Sequence, residues 1–391
     1  MLIRVIFRKH CMSLLRGIAR YNQFHGPWLF YVDGPLMVYK DNPSLPQLML
    51  SRLVNEEYKI DGLITRNPRL DIELIKQKTP MIIAIHTREQ IRDIPYVLTD
   101  HDAIGEAGAE YLMGLGFKHF AFCGFEDMFW ANLRCDGYQR KLEQAGYTPA
   151  IYGIKVHSVS WSKTLDCLKE WVLSLPSPVA IMASHDDMAI HLIEACHKAN
   201  LHIPDDVAIL GVNNEDLFFC DLMSPPLSSL VLKVEDAGYQ TAQLMEQLMG
   251  GEKMNGQRII IKPSHVISRQ STNILAIDDK ELRTALRFIR DNARMPIQVE
   301  DVVNRTSLSR RVLENRFRDQ LNTSILKEIN KVKIDQIQLV LRETDMSTEQ
   351  IAEYMNFSTR SNFSRFFVRE TGVTPKNYRI QAQDNRQNFR I

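Results

Sequence analysis

Seven short runs of mostly apolar, β-prone residues recur along the first 212 residues of the chain, at 2–7, 28–32, 62–65, 81–85, 119–125, 179–184 and 207–212. A strand that is apolar on both faces must be covered on both faces, and the stretches between these runs carry the three-and-four spacing of amphipathic helices. The alternation predicts βα units built around parallel sheets. Nearly 280 residues of such units are long for one doubly wound domain, so two lobes are predicted. After Ser271 the strand signal stops, and STNILAIDDKE forms a short polar joint before a stretch that is helical throughout. The predicted architecture is a two-lobed α/β domain over residues 1–273 followed by an all-α domain over 279–384.

Charge divides along the same boundary. Residues 278–391 hold 21 Lys and Arg against 16 Asp and Glu, and residues 1–277 hold 27 against 31, so a tail of +5 follows a body of −4. A basic module beside a mildly acidic one points to a polyanion as the partner of the tail, although solvated surface charge accounts for the numbers equally well. All six cysteines lie in the body without CxxC spacing, which suits free thiols rather than zinc or disulfide chemistry. The opening MLIRVIFRKHC is too short for a signal-peptide core, and no segment offers about twenty uncharged apolar residues, so a cytoplasmic protein with no membrane partner is expected.

Within the tail, Leu282, Ala285, Leu286 and Ile289 mark a first helix that Pro296 ends, residues 299–304 a second, and Ser309 the cap of a third. On that third helix Val312, Leu313, Phe317 and Leu321 fall on one side, predicted to pack; Arg310, Arg311, Glu314, Asn315 and Arg318 fall on the other. A long helix near 324–343 follows, with Ile325, Ile329, Val332, Ile337 and Leu341 as its buried side. Then the short-helix, turn, long-helix unit recurs fifty residues on. Phe363 stands where Leu313 stood and Phe367 where Phe317 stood; Phe363, Phe366 and Phe367 pack, Thr359 caps, and Arg360, Ser361, Ser364 and Arg365 face outward. A helix presented by a shorter helix and a tight turn is the geometry that enters the major groove. There arginine donates two hydrogen bonds to guanine and asparagine pairs with adenine, so double-stranded DNA is the predicted partner.

At these residues the tail resembles the DNA-binding domain of the arabinose-regulator family of bacterial transcription factors, over about 105 residues. The most specific piece is IAEYMNFSTRSNFSRFFVRETGVTPKNYR, in which Thr374, Pro375, Tyr378 and Arg379 supply the family's closing turn. Where that family usually has glycine before the aromatic of the second turn, this chain has Asn356, a residue that tolerates left-handed backbone. The resemblance implies two recognition helices in successive major grooves, about one helical turn apart.

The body resembles the effector domains of lactose-repressor-type regulators, which share their fold with periplasmic sugar-binding proteins. The likeness runs from about Leu2 to Ser271 and is carried by VLTDHDAIGEAGAEYLMGLGFKHFAFCGF and by the stretch from VAIMASHDDMAIHLIEACHKANLHIPDDVAILGVNNED onward. The headpiece that usually precedes this domain has no counterpart here, so DNA contact is expected from the tail. Two βα lobes closing on a polar ligand need bidentate side chains at the carboxyl ends of strands, and Asp100, Arg134, Asp186 and Asn213 are the candidates. By the resemblance, Arg134 grips the sugar or acid, Asp186 faces ligand hydroxyls, and Asn213 replaces a common aspartate. Arg8, His10, Trp161 and Glu215 are weaker candidates. Asp100 and Asp186 can equally be helix caps, and Arg134 a surface ion-pair partner. His185, Asp186 and Asp187 diverge in direction and lack a completing ligand, and the GLG of residues 114–116 follows a helix, so neither a metal nor a dinucleotide cofactor is expected.

A sugar sensor followed by a double helix-turn-helix, in that order, resembles the xylose-operon activators of bacteria. That likeness implies D-xylose or another aldopentose as effector, with homodimers acting on promoter DNA beside RNA polymerase. The rivals are a sugar-metabolising enzyme carrying a nucleic-acid module, against which the absence of a nucleophile–base pair, phosphate loop or metal set counts, and a DNA-binding protein whose body has lost its ligand.

Overall fold

The computed structural model describes residues 2–6, 12–32, 61–65, 79–84, 92–155, 161–214, 217–273, 277, 279–344 and 346–380. The chain divides into two compact units, Met1–Ala276 and Ile277–Ile391. The first contains β1 (Leu2–Ile6), α1 (Met12–His25), β2 (Leu29–Val32), β3 (Gly62–Thr65), β4 (Met81–Ala84), β5 (Tyr96–Thr99), α2 (His101–Gly114), β6 (Phe120–Phe125), α3 (Phe129–Gln144) and β7 (Ala150–Ile154). It continues through α4 (Trp161–Ser174), β8 (Val179–Ala183), α5 (Asp186–Lys198), β9 (Val207–Asn213), α6 (Leu217–Leu222), β10 (Ser228–Leu232), α7 (Val234–Met249), β11 (Arg258–Ile261) and β12 (Pro263–Ile267).

These strands form two six-stranded sheets, one in the order β11-β5-β4-β3-β1-β2 and the other β12-β10-β9-β8-β6-β7. Every pairing is parallel except that of β12 with β10. Both sheets are therefore doubly wound with the same order, and the predicted two-lobed α/β body is present. All seven sequence runs lie on strands. The strands that periodicity did not announce include β7, β11 and β12, which are edge strands: β7 and β12 hold no buried residue, and β11 alternates exposed with buried.

The chain crosses between the lobes three times, after β5, after β10 and after β11. At the crossings Asp100 N–H donates to the Ile261 carbonyl and Lys233 N–H to the Lys262 carbonyl, each at 2.9 Å. Two backbone bonds thus tie three strands into one narrow joint, the form a hinge takes.

The core of lobe 2, the lobe built on the β12-β10-β9-β8-β6-β7 sheet, lies on both faces of that sheet. One face packs Leu168, Met188, Leu192 and Ile209 under α4 and α5, and the other packs Ile104, Leu112, Tyr138, Leu142 and Met182 under α2 and α3. Each such side chain contributes about 1.5–3 kcal/mol by leaving water. Helices α2 and α3 touch backbone to backbone at two glycines: a Cβ on Gly105 would lie 2.1 Å from the Arg134 carbonyl oxygen, and one on Gly137 2.2 Å from that of Asp102. Gly137→Ala should therefore lower the melting temperature of the body. Alanine gains about 1 kcal/mol as a helix former, but separating the helices costs about 1–3 kcal/mol or more. An unchanged melting temperature would mean that the helices can part freely.

The second unit contains α8 (Lys280–Asp291), α9 (Val299–Val303), α10 (Arg310–Leu321), α11 (Ile325–Glu343), α12 (Thr348–Tyr354) and α13 (Arg360–Thr371). It has two cores. Leu282, Leu286, Ile289, Val302, Leu313 and Phe317 make the first; Ile337, Leu341, Ile351, Met355, Phe363 and Phe367 make the second. Helix α11 joins them. The closing-turn residues have clear work: Tyr378 meets the Phe367 ring edge-on at 5.7 Å, and Arg379 donates to the carbonyls of Leu341 (3.2 Å) and Met346 (2.6 Å). Asp279 caps α8 through the amides of Glu281 and Leu282 and pairs with Arg316 of α10. Burial works against its charge, but those bonds win and hold the carboxyl below its usual range.

Two details depart from expectation. Val312 is exposed rather than packed, because the buried stripe of α10 centres between Leu313 and Phe317, and Val312 lies about 100° behind Leu313 around the helix. Thr359 caps α13 by accepting from Asn362 N–H at 3.1 Å, whereas Ser309 occupies the same position on α10 without a side-chain cap.

Candidate functional site

In lobe 2 the carboxyl ends of β6, β8 and β9 and the amino end of α3 converge, which is where doubly wound sheets hold ligands. Arg134, one turn into α3, is the centre of this ground. It is 3% exposed, and its guanidinium donates to His101 Nδ1 (3.3 Å), to the Ser184 carbonyl and to Asn213 Oδ1 (3.4 Å). Its charged carbon stands 5.2 Å from the centre of the Trp130 ring, four residues earlier on the same helix face. His185 meets Trp130 edge-on at 5.4 Å and Phe125 at the same distance, so the ring that covers the cation is itself packed among aromatic neighbours. The alternative of a surface ion-pair partner does not describe so enclosed a side chain.

Asn213 and Asn214 close β9 with φ of +108° and +48°, backbone that costs about 1–3 kcal/mol per residue and persists where surroundings impose it. Asp186 is one of those surroundings. Its Oδ2 accepts from Asn214 N–H at 2.7 Å and its Oδ1 from the Ser229 hydroxyl at 2.6 Å, the latter oxygen lying where a Cβ on Gly211 would be 2.3 Å away. Arg269 adds a bond to Asn214 Oδ1 at 3.0 Å. Enclosure raises the Asp186 carboxyl to about 7, against the opposing pull of Ser229, Asn214 and Arg134. The consequence has a definite sign. A carboxyl whose folded value exceeds its unfolded one binds its proton more tightly when folded, so its contribution is present at low pH and is lost as pH rises through about 7. Asp186→Asn should flatten the change in melting temperature between pH 6 and pH 8; an unaltered pH slope would assign that slope elsewhere.

Asp100 sits at the joint after β5, where its Oδ1 accepts from Ala103 N–H at 3.1 Å and caps α2. The structure thus brings Arg134 and Asn213 into direct contact, links Asp186 to them through Asn214, and gives Asp100 a capping bond at the hinge. Trp130 and His101 were not picked out by sequence reasoning, and His185 was weighed only as part of a metal cluster. Trp130 was detectable at four residues before Arg134; His101 was not, since it joins the group through the α2–α3 packing. Arg8, His10 and Glu215 and the side chain of Trp161 lie outside the described residues.

In the second unit Arg311, Asn315, Ser361 and Arg365 are exposed on the outer faces of α10 and α13, while Glu314 and Ser364 flank them half-buried. The amino-terminal arginines share one device. Arg310 pairs with Glu314 (3.0 Å) and with Glu300 of the preceding helix (3.6 Å), and Arg360 with Glu349 of the preceding helix (2.6 Å). Arg365 donates to Asn362 Oδ1 at 2.6 Å. Exposed pairs of this kind contribute little to stability and are readily exchanged for phosphate or guanine.

Residues 109–272 match the model of a periplasmic binding protein-like domain, and residues 302–381 that of a helix-turn-helix domain. The chain is 31% identical over 382 residues to the xylose operon regulatory protein of Haemophilus influenzae, covering 95% of each, and 28% identical over 298 residues to that of Escherichia coli K12, covering 75% and 76%. Among solved structures, a xylose-binding transcription activator shares the fold over 97% of both chains with a TM-score of 0.77 at 24% identity. A ribose-bound LacI family regulator from Enterococcus faecalis does so over 71% of this chain with a TM-score of 0.54 at 18% identity. A sugar-sensor fold, a duplicated helix-turn-helix and a relative aligned over almost the whole length lead to one conclusion: the chain belongs to the family of xylose operon regulatory proteins, DNA-binding transcriptional regulators that respond to sugar.

Proposed function

We propose that this regulator is a D-xylose-responsive activator that works in the cytoplasm as a homodimer, bringing four helix-turn-helix units to promoter DNA beside RNA polymerase. The observation that carries the ligand side is the buried Arg134, covered by Trp130, against which His185 packs, and in contact with Asn213 at the end of β9. A planar guanidinium and a carboxamide suit adjacent hydroxyls, and an aromatic wall suits the apolar face of a pyranose. The names and folds of the relatives favour the pentose. In this reading Asp186 acts through Asn214 as a positioning group, and sugar draws the lobes together about the joint at Asp100 and Ile261. Within the described residues no helix is long and apolar enough to cross a membrane, which agrees with the location proposed.

On the DNA side, Arg310, Arg311, Glu314 and Asn315 of α10 and Arg360, Ser361, Ser364 and Arg365 of α13 are the proposed groove-facing residues. Arg311→Ala should weaken binding to the preferred duplex by about 1–3 kcal/mol and relax the preference at a single base position, with sugar affinity untouched. A footprint and base preference identical to wild type would remove Arg311 from the groove. Calorimetric titration with D-xylose, L-arabinose and D-ribose tests the ligand: heat for D-xylose above the other two is expected, and heat for none of them would sink the sensor reading.

A further inference from the structure

Three exposed side chains and one backbone carbonyl connect the two halves of the DNA-binding unit by a route other than α11. Asn356 lies in the turn between α12 and α13 with φ of +54°, a conformation glycine adopts without cost. Its carboxamide nitrogen donates to the Arg294 carbonyl at 3.3 Å and approaches Met295 Sδ at 3.8 Å. Two residues earlier, at the end of α12, the Tyr354 hydroxyl accepts from Arg294 Nη1 at 3.1 Å, and the same guanidinium covers the Tyr354 ring at 5.0 Å. Arg294 and Met295 belong to the joint between α8 and α9, which packs in the first core; Tyr354 and Asn356 belong to the second helix-turn-helix.

Helix α11 is the element that packs into both cores and so relates the two reading helices. Nineteen helical residues span about 28 Å, so a small bend in α11 is magnified at the far recognition helix. A second attachment at a distance from α11 removes that freedom. Glycine would satisfy the turn equally well but has no amide to donate, which gives the asparagine a role that backbone geometry alone does not. We infer that Asn356, Tyr354 and Arg294 form a clasp that fixes the separation and angle of α10 and α13, making them positioning residues that set how strictly the protein measures the distance between its two DNA contacts. The inference rests on the two-groove reading above.

The test uses the full chain and a duplex that the wild-type protein enriches from a random-sequence library, with derivatives carrying one base pair inserted or removed between the two footprinted segments. One base pair rotates the second contact by about 34°. Wild type should bind the altered duplexes markedly less well. Asn356→Gly, which keeps the turn, and Asn356→Gly combined with Tyr354→Phe should each shrink that penalty by about fivefold or more, the equivalent of one net hydrogen bond. A penalty equal to that of wild type, or a loss of the same factor on all three duplexes, would overturn the clasp. If wild type itself showed no penalty, the two-groove reading would fall and the clasp with it, so the two failures are distinguishable.

Discussion

Arg134→Ala should leave the protein folded and able to bind DNA while raising its Kd for sugar by a factor of about 100 or more. The size follows from what the side chain does. It is a buried cation with bonds to His101, the Ser184 carbonyl and Asn213, and hydrogen bonds to charged groups are worth about 1.5–3 kcal/mol each. In the proposed site, removal would take away the sugar's charged donor and also free the Asn213 carboxamide to turn toward other partners, so the ligand would lose a second, oriented contact. Arg134→Lys separates charge from shape. Lysine keeps the cation but not the planar fork and stacks less well on Trp130, so an intermediate affinity is expected. Calorimetry with D-xylose on the three proteins checks the series. Undiminished affinity in the alanine variant would place the sugar elsewhere.

Phe363→Ala should have the largest effect on the second helix-turn-helix. The ring is fully buried and lies 5.5 Å from Phe357 and 6.3 Å from Phe367 in a small cluster. Deleting such a ring costs about 3–5 kcal/mol, comparable with everything so small a core supplies. The local consequence is opening of residues 348–380, seen as lost amide protection there, with DNA affinity falling to that of one unit. Val312→Ala is the contrasting case. Sequence periodicity placed Val312 in the core of the first unit, but it is exposed, and its truncation should change stability by no more than about 0.5 kcal/mol. Normal protection across 348–380 in Phe363→Ala would show that the second unit does not depend on its aromatic centre.

These two residues show how far the sequence could be read. Phe363 and Phe367 repeat the register of Leu313 and Phe317, and a repeated apolar register survives errors in the helix boundary. Val312 does not repeat, since its counterpart is Asn362, and that mismatch was the available sign that it faces outward. In the body, the runs at 179–184 and 207–212 were legible because both faces of a central strand are covered. Edge strands such as β7 (AIYGI) and β11 (RIII) are as apolar in sequence but partly exposed, and they were not read as strands. Arg134 was named from the sequence, and Trp130, four residues earlier on the same helix face, lay within reach of the same reasoning although it was not named. The candidate site was not legible where folding joins distant segments. Asp186 meets Ser229 across 43 positions, and Arg134 meets Asn213 across 79.

The central claim is that sugar in the cleft and DNA on the paired recognition helices are energetically linked through lobe closure. A coupling of about 1–3 kcal/mol is typical of such regulators and corresponds to about 5–150-fold in affinity. Linkage is reciprocal, so the Kd for the library-enriched duplex measured by fluorescence anisotropy with and without saturating D-xylose should shift by the same factor as the Kd for D-xylose measured with and without that duplex. Equal, substantial shifts in both directions are predicted. Binding of both ligands with neither affecting the other would contradict the account.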